Sequence, residues 1–352
     1  MDSRLTFSVG YQLPDEGEDR FPEIVADYRD AVSEVYFAAG DAPSARTPSA
    51  DASGYESDEA EAILQEDLSA LRAQGVRLNL LCNANCYGGA AVSRTLAASV
   101  AASVERYRPD SVTTASIFIA SCIKMDFPSL SVRASVNMNL ASVEELAYVA
   151  DRFDSYCVSR ELNYDLGAME RIKEWADANG KSLVVLANSG CMRNCPAHTF
   201  HDNLVAHFAE IDPSDVLKGF QPVFCRAFYA SPENRAGFLE HTSFIRPENV
   251  AAYARYAAVV KLATRTHPNP RLVIDAYSRG RFTGNLFDLT EPNHGALFKG
   301  KVLDGARVTD GWWRAKSRCN RNCESCGLCR KVLADALVDC EVLDGNCPLM
   351  KT

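Results

Sequence analysis

The chain has 352 residues, 47% of them apolar and 24% charged, so it can bury a large core in one main domain, and disorder is excluded as its dominant state. A formal charge of -9 and a pI near 5.3 argue against a chain-wide electrostatic grip on nucleic acid and leave room only for a local basic patch. No apolar run reaches the ~18 residues of a membrane span, and Met1 to Val9 lacks the pattern of a signal peptide, so the expected location is cytoplasmic.

In chain order, apolar β-rich runs alternate with helical periodicity. The strand candidates are Leu5–Tyr11, Glu34–Ala39, Arg77–Leu81, Ser111–Ile117, Leu130–Val136, Ser155–Ser159, Ser182–Ala187 and Gly219–Phe224. Between them the pattern predicts helices over Ser57–Gln74, Val92–Tyr107, Ser142–Arg152, Leu166–Asn179 and Pro247–Val260. Ser142 with Glu145 makes a capping box, and Gly180 stops the helix before it. This alternation predicts an α/β fold, a (β/α)8 TIM-like barrel over residues 1–300, with a doubly wound sheet as the competing architecture. Ala42–Tyr55, rich in Ala, Ser and Pro, reads as a loop. A small Cys-rich extension over 301–352 is too short for a core of its own, and a metal would supply its stability.

Thirteen cysteines in a reducing compartment need an explanation other than disulfides. Cys122 and Cys157 sit in apolar stretches and read as small buried hydrophobes. The C-terminal run is different: Cys319-Asn-Arg-Asn-Cys323-Glu-Ser-Cys326-Gly-Leu-Cys329, with Cys340 and Cys347-Pro348 beyond. Gaps this short let thiolates wrap a cubane, so Cys319, Cys323, Cys326 and Cys329 are expected to bind a [4Fe–4S] cluster, with zinc as the alternative metal. Cys319, Cys323 and Cys326 also spell the radical S-adenosylmethionine signature, but in that family the triplet follows the first barrel strand rather than the last.

A second constellation reads Ser189-Gly-Cys191-Met-Arg-Asn-Cys195-Pro-Ala-His198-Thr-Phe-His201. It follows the seventh expected strand and therefore belongs on the C-terminal rim, where such barrels carry their active sites. With Cys225 after the eighth expected strand, three thiolates should converge there, joined by Cys86 or by Cys82. His198 and His201 open a helix, where capping competes with ligand or acid/base service. Arg160, Lys261 and Arg265 are candidates for gripping an anionic substrate, because a guanidinium suits a carboxylate. A salt bridge across the barrel, with Glu161 as partner, is the competing role.

Four segments carry a family resemblance: Ser159-Arg160-Glu161-Leu162 with Leu166 to Ile172; the Gly190-Cys191 turn; Val260-Lys261-Leu262-Ala263-Thr264-Arg265; and Asp275-Ala276-Tyr277 with Thr283-Gly284-Asn285-Leu286. Through them the chain resembles the collagenase-like U32 peptidase family, from about Arg77 to Leu289 and most specifically over Arg160–Cys195. The C-terminal cysteines lie outside that stretch. The family name implies a peptidase, yet no Ser/His/Asp set stands out and the cysteines have metal spacing. Its tRNA and ribosomal RNA hydroxylation members, and an anaerobic ubiquinone-biosynthesis pair, imply cluster-binding proteins that add a hydroxyl oxygen without dioxygen, with prephenate as donor.

By that resemblance Cys86, Cys191, Cys195 and Cys225 hold a rim [4Fe–4S] cluster beside a substrate cavity, served by Arg160, Lys261, Arg265 and His201 as catalytic candidates. With the tail cluster this makes two. The chain departs from many relatives at Ala263, where they carry an acidic residue, and at Ile245-Arg246-Pro247-Glu248, where they carry a cysteine; either the fourth ligand comes from elsewhere, with Cys86 the expected one, or the reaction has diverged. The expected function is an iron–sulfur enzyme for oxygen-independent hydroxylation or a related modification. An electron-transfer or scaffold protein and a peptidase are the alternatives. The expected partners are a small-molecule or RNA substrate and an electron-donor or homologous protein, with no membrane.

Overall fold

Short β-branched runs close into a ring because each can pair with the next only if a helix carries the chain back along the outside. In the computed structural model, which describes residues 5–15, 17–39 and 55–340, eight parallel strands form a closed barrel in sequence order. They are β1 (Thr6–Gly10), β2 (Val32–Phe37), β3 (Arg77–Cys82), β4 (Ser111–Thr114), β5 (Ser131–Ala134), β6 (Ser155–Cys157), β7 (Ser182–Leu186) and β8 (Val259–Leu262). Closure comes from β8 against β1, with Thr6 opposite Val259 and Val9 opposite Leu262. Residues 42–54 of the expected Ala42–Tyr55 loop, and Cys347, lie outside the described residues.

Two regions differ most from expectation. The eighth strand is Val259–Leu262, not Gly219–Phe224. Gly219 has a φ of 86° and Pro222 has no N–H to give a ladder, whereas Val259 and Val260 are β-branched. The expected helix Pro247–Val260 is accordingly one short 3-10 stretch, Pro247–Tyr253, leading into β8. The second difference is that Ser111–Ile117 ends early as a strand. Ser116 caps a helix over Ile117–Asp126, its hydroxyl accepting from the Ile119 N–H; this helix is apolar on most sides, which hides its period.

Outward-facing strand residues such as Val9, Val35, Leu80, Val112, Val132 and Val185 are fully buried or nearly so and pack into one core with the surrounding helices. The long β7–β8 connection carries helices over His198–Ala206, Phe224–Ala230, Pro232–Ala236 and Phe238–His241. After the barrel, β9 (Lys301–Leu303) pairs antiparallel with β10 (Leu337–Asp339), and Trp312, Leu333 and Ala336 join the barrel's core. Among the described residues, no helix is long and apolar enough to cross a membrane.

Candidate functional site

The barrel lumen is polar at its centre. Arg133 on β5 reaches across to Glu34 on β2 and donates two hydrogen bonds, at 2.5 and 2.9 Å. Both side chains are buried, Ser8 donates to Glu34 at 2.6 Å, and Arg133 also donates to Ser155. Burial pushes the Glu34 carboxyl up, but Arg133 and Ser8 outweigh it and hold the pKa below the ordinary value. This pair is the floor on which the C-terminal mouth is built.

Above it opens a cavity of about 310 Å³, and every residue expected to be catalytic lines it: Arg160, His201, Lys261 and Arg265, together with Cys191. Asn188 braces this wall. Its side-chain amide donates to the Ala263 and Leu289 carbonyls and accepts from the Ala263 N–H, tying the end of β7 to the end of β8. Gly190 turns the chain toward Cys191 where a Cβ would lie 2.0 Å from the Pro292 carbonyl oxygen, so glycine is required there by close approach.

Lys261 points its ammonium over the Tyr36 ring, 3.9 Å from the centroid. Burial pushes its pKa down to about 8; Cys157 opposes this, while Arg265 and Arg133 add to it. The buried Arg160 guanidinium loses by desolvation, but Cys191, Asp202 and Glu161 hold its pKa above the ordinary value, and its side chain hydrogen-bonds to Cys191. Glu161 is not its salt-bridge partner across the barrel; that carboxylate accepts instead from the Asn194 N–H at 2.8 Å. His198 is kept neutral by burial and then by Arg160. Three buried polar atoms at this wall have no hydrogen-bond partner: Asn83 Oδ1, Arg160 Nε and His198 Nε2.

Cys191, Cys195 and Cys225 lie within electrostatic reach of one another, and among the described residues no three His, Cys, Asp or Glu side chains stand as a group able to hold a metal ion. Burial raises the Cys225 thiol to about 11 with Cys191 and Cys195 as the next causes, and Cys195 is raised by burial and then by Cys191. Cys225 arrives there from the first turn of the Phe224–Ala230 helix rather than from a strand end. Cys86 is engaged elsewhere. It is hydrogen-bonded to His207, which lowers its pKa, and His207 Nδ1 is 3.1 Å from Glu210 Oε1. Cys82 is fully buried in the core, its thiol pushed up to about 12, and is inert as a ligand.

In the tail, Cys319, Cys323, Cys326 and Cys329 line one cavity of about 90 Å³ with Glu240 and Lys316. Arg330 neutralises Glu240 at 3.0 Å. Arg193, between Cys191 and Cys195, lies within electrostatic reach of Cys319 and Cys323, so the tail lies against the rim segment. Sequence reasoning missed Tyr36, Arg226, Glu240 and Lys316; only Glu240 and Lys316 gave a signal, as charges beside apolar or cysteine-rich runs.

Residues 23–192 match the model of peptidase family U32. Over that stretch, just under half of its length, the chain resembles that family. An uncharacterized protease of Methanocaldococcus jannaschii, MJ1657, is 24% identical over 285 residues, spanning 78% of this chain and 81% of the relative. The solved U32 peptidase Mk0906 aligns at 15% identity with a TM-score of 0.47, covering 61% of this chain and 83% of that one. A glycoside hydrolase family 5 mannosidase from Rhizomucor miehei aligns at 12% identity with a TM-score of 0.39, covering 82% and 94%. Cys225, Lys261, Arg265 and the tail cysteines fall outside the family-matched residues.

Proposed function

We propose that this protein is an iron–sulfur enzyme carrying out oxygen-independent hydroxylation, or a related modification, of a small molecule or RNA base, with an anionic co-substrate held in the barrel mouth. The make-up of the cavity wall carries this reading. Arg160, Arg226, Lys261 and Arg265 face Asp202 and Glu291, so positive charge predominates, and Asn83 Oδ1, Arg160 Nε and His198 Nε2 stand unpaired. An unsatisfied buried polar atom costs about 1–3 kcal/mol, a penalty that a ligand with complementary oxygens and protons would relieve.

Cys191, Cys195 and Cys225 would supply three thiolates of a rim cluster, while Cys86 pairs with His207 instead. A cluster held there would supply one-electron chemistry next to the cavity. The thiols disfavour one another's ionisation in its absence, so cluster binding would release their protons. Arg160 supports the Cys191 sulfur through its hydrogen bond, and its planar fork suits a carboxylate. Lys261 holds a proton on Nζ at neutral pH, while His198 presents an uncharged imidazole.

The test is anaerobic purification with iron and sulfide analysis, followed by binding of carboxylate probes such as malonate. Cys191→Ala with Cys225→Ala should remove one cluster's share of iron; Arg160→Met should keep the iron and weaken the anion. Full iron in the thiol variant, or unchanged anion binding in Arg160→Met, refutes the reading.

One observation favours a second reading. Cys86, His207 and Glu210 form a nucleophile, base and orienting carboxylate in series on the surface, which is the arrangement of a thiol hydrolase and agrees with the peptidase name of the family. Rapid alkylation of Cys86 together with peptide cleavage lost in Cys86→Ser would favour it over the first.

A further inference from the structure

The four tail cysteines lie outside the family-matched residues 23–192, and the mouth chemistry does not use them. Loop, helix and turn bring them together: Cys319 precedes the helix Cys323–Cys326, Gly327 turns the chain with a φ of 62°, and Cys329 lies in the first turn of Leu328–Ala336. We propose that Cys319, Cys323, Cys326 and Cys329 hold a [4Fe–4S] cluster, a redox centre separate from the barrel mouth.

Size favours a cluster over a single ion. The cavity that the four thiols line together with eight other residues measures about 90 Å³, whereas one water needs roughly 10–15 Å³ on the same measure. Tetrahedral zinc, with bonds of about 2.3 Å to sulfur, would need its thiolates within about 4 Å of one another. In a cubane each sulfur binds a different iron, so the four stay farther apart around a shared space.

Charge and hydrogen bonding point the same way. A cubane on four thiolates is an anion, and Lys316 and Arg321 line its cavity with Arg193 near by. The Lys316 ammonium is fixed there, donating to the Leu239 carbonyl at 2.5 Å and to the Thr242 carbonyl at 2.8 Å against the Tyr164 and Trp312 rings. Trp312 Nε1–H donates to Cys329 Sγ at 3.3 Å, the kind of contact that stabilises a ligating thiolate and sets a cluster's potential. Cys319 and Cys326 are exposed, which leaves one edge of the cluster open to a one-electron donor. Assembly of the dithionite-reducible state takes two ferrous and two ferric ions with four sulfide ions from solution and releases the four thiol protons.

The test uses the full chain, reconstituted anaerobically with equal ferrous and ferric iron and with sulfide. The double variant Cys323→Ser, Cys326→Ser should hold about four fewer iron and four fewer sulfide than wild type. It should also lose a dithionite-induced paramagnetic signal that Cys191→Ala, Cys225→Ala retains. A second measurement needs no variant: in the loaded wild type, iodoacetamide should alkylate these four thiols at least tenfold more slowly than after iron is stripped. Stoichiometric zinc in place of iron, undiminished iron in the double variant, or equal alkylation in loaded and stripped protein overturns the proposal. Loss of mouth anion binding alone bears on the proposed function and leaves this site standing.

Discussion

Replacing Lys261 with Met leaves an unbranched apolar side chain against Tyr36 and deletes an ammonium whose charge changes just above neutral pH. With its pKa at about 8, half the molecules carry the charge at that pH, and the charged fraction falls about tenfold for each further unit. An anion that uses this ammonium should bind with constant affinity below about pH 7 and lose up to tenfold per unit above about pH 8. Stability moves the other way. The folded pKa of about 8 lies below the ordinary 10.5, so the unfolded chain binds the extra proton between those values and stability rises with pH across that window. Weaker binding there is therefore not unfolding. A charge-assisted hydrogen bond contributes about 1.5–3 kcal/mol, so Lys261→Met should weaken binding roughly 10- to 150-fold at pH 7 and far less at pH 9.5. Calorimetric titration of both proteins with malonate, whose carboxylates stay ionised throughout, reads this directly. A flat wild-type profile, or the same decline in the variant, refutes the assignment of Lys261 to the anion.

Glu34→Gln leaves the Arg133 guanidinium buried without its carboxylate and should cost about 3–5 kcal/mol in urea unfolding at pH 7; a loss below about 1 would mean that the lumen relaxes around the charge. Because Glu34 is held below its ordinary pKa, its contribution should disappear as pH falls below about 4.5, and the wild-type and variant curves should converge in acid. Gly190→Ala drives a methyl into the Pro292 carbonyl, so it should lower stability by about 1–3 kcal/mol and weaken malonate binding through the displaced Ser189–Cys191 wall; wild-type behaviour in both assays would show that the loop gives way freely. His207→Ala should slow iodoacetamide alkylation of Cys86 and move its pH midpoint upward, as mass spectrometry of the labelled peptide would show; an unchanged midpoint means that the imidazole does not activate the thiol.

Seven of the eight barrel strands are legible because each is a short run with apolar, mostly β-branched or aromatic residues followed by a helical period, a pattern that local propensity and packing both favour. Strand β8 escaped because Val259–Leu262 is only four residues long and follows Ala251, Ala252, Ala254, Ala257 and Ala258, strong helix formers that extend the apparent period into it. The lumen pair was legible in principle. Glu34 in Val32–Phe37 and Arg133 in Ser131–Ala134 are lone charges inside apolar strands, and a buried charge needs an opposite partner. The rim thiols separate two kinds of information that a sequence carries. Cys191, Cys195 and Cys225 group by residue type and lie within electrostatic reach of one another, but Cys225 gets there by helix after the β7–β8 connection folds back over the mouth. Cys86 was grouped with them on the same grounds and instead meets His207, which the same connection carries to it. Residue type thus identified which side chains could share a metal, while the path of one long connection decided which of them do stand together, and no local period encodes that path.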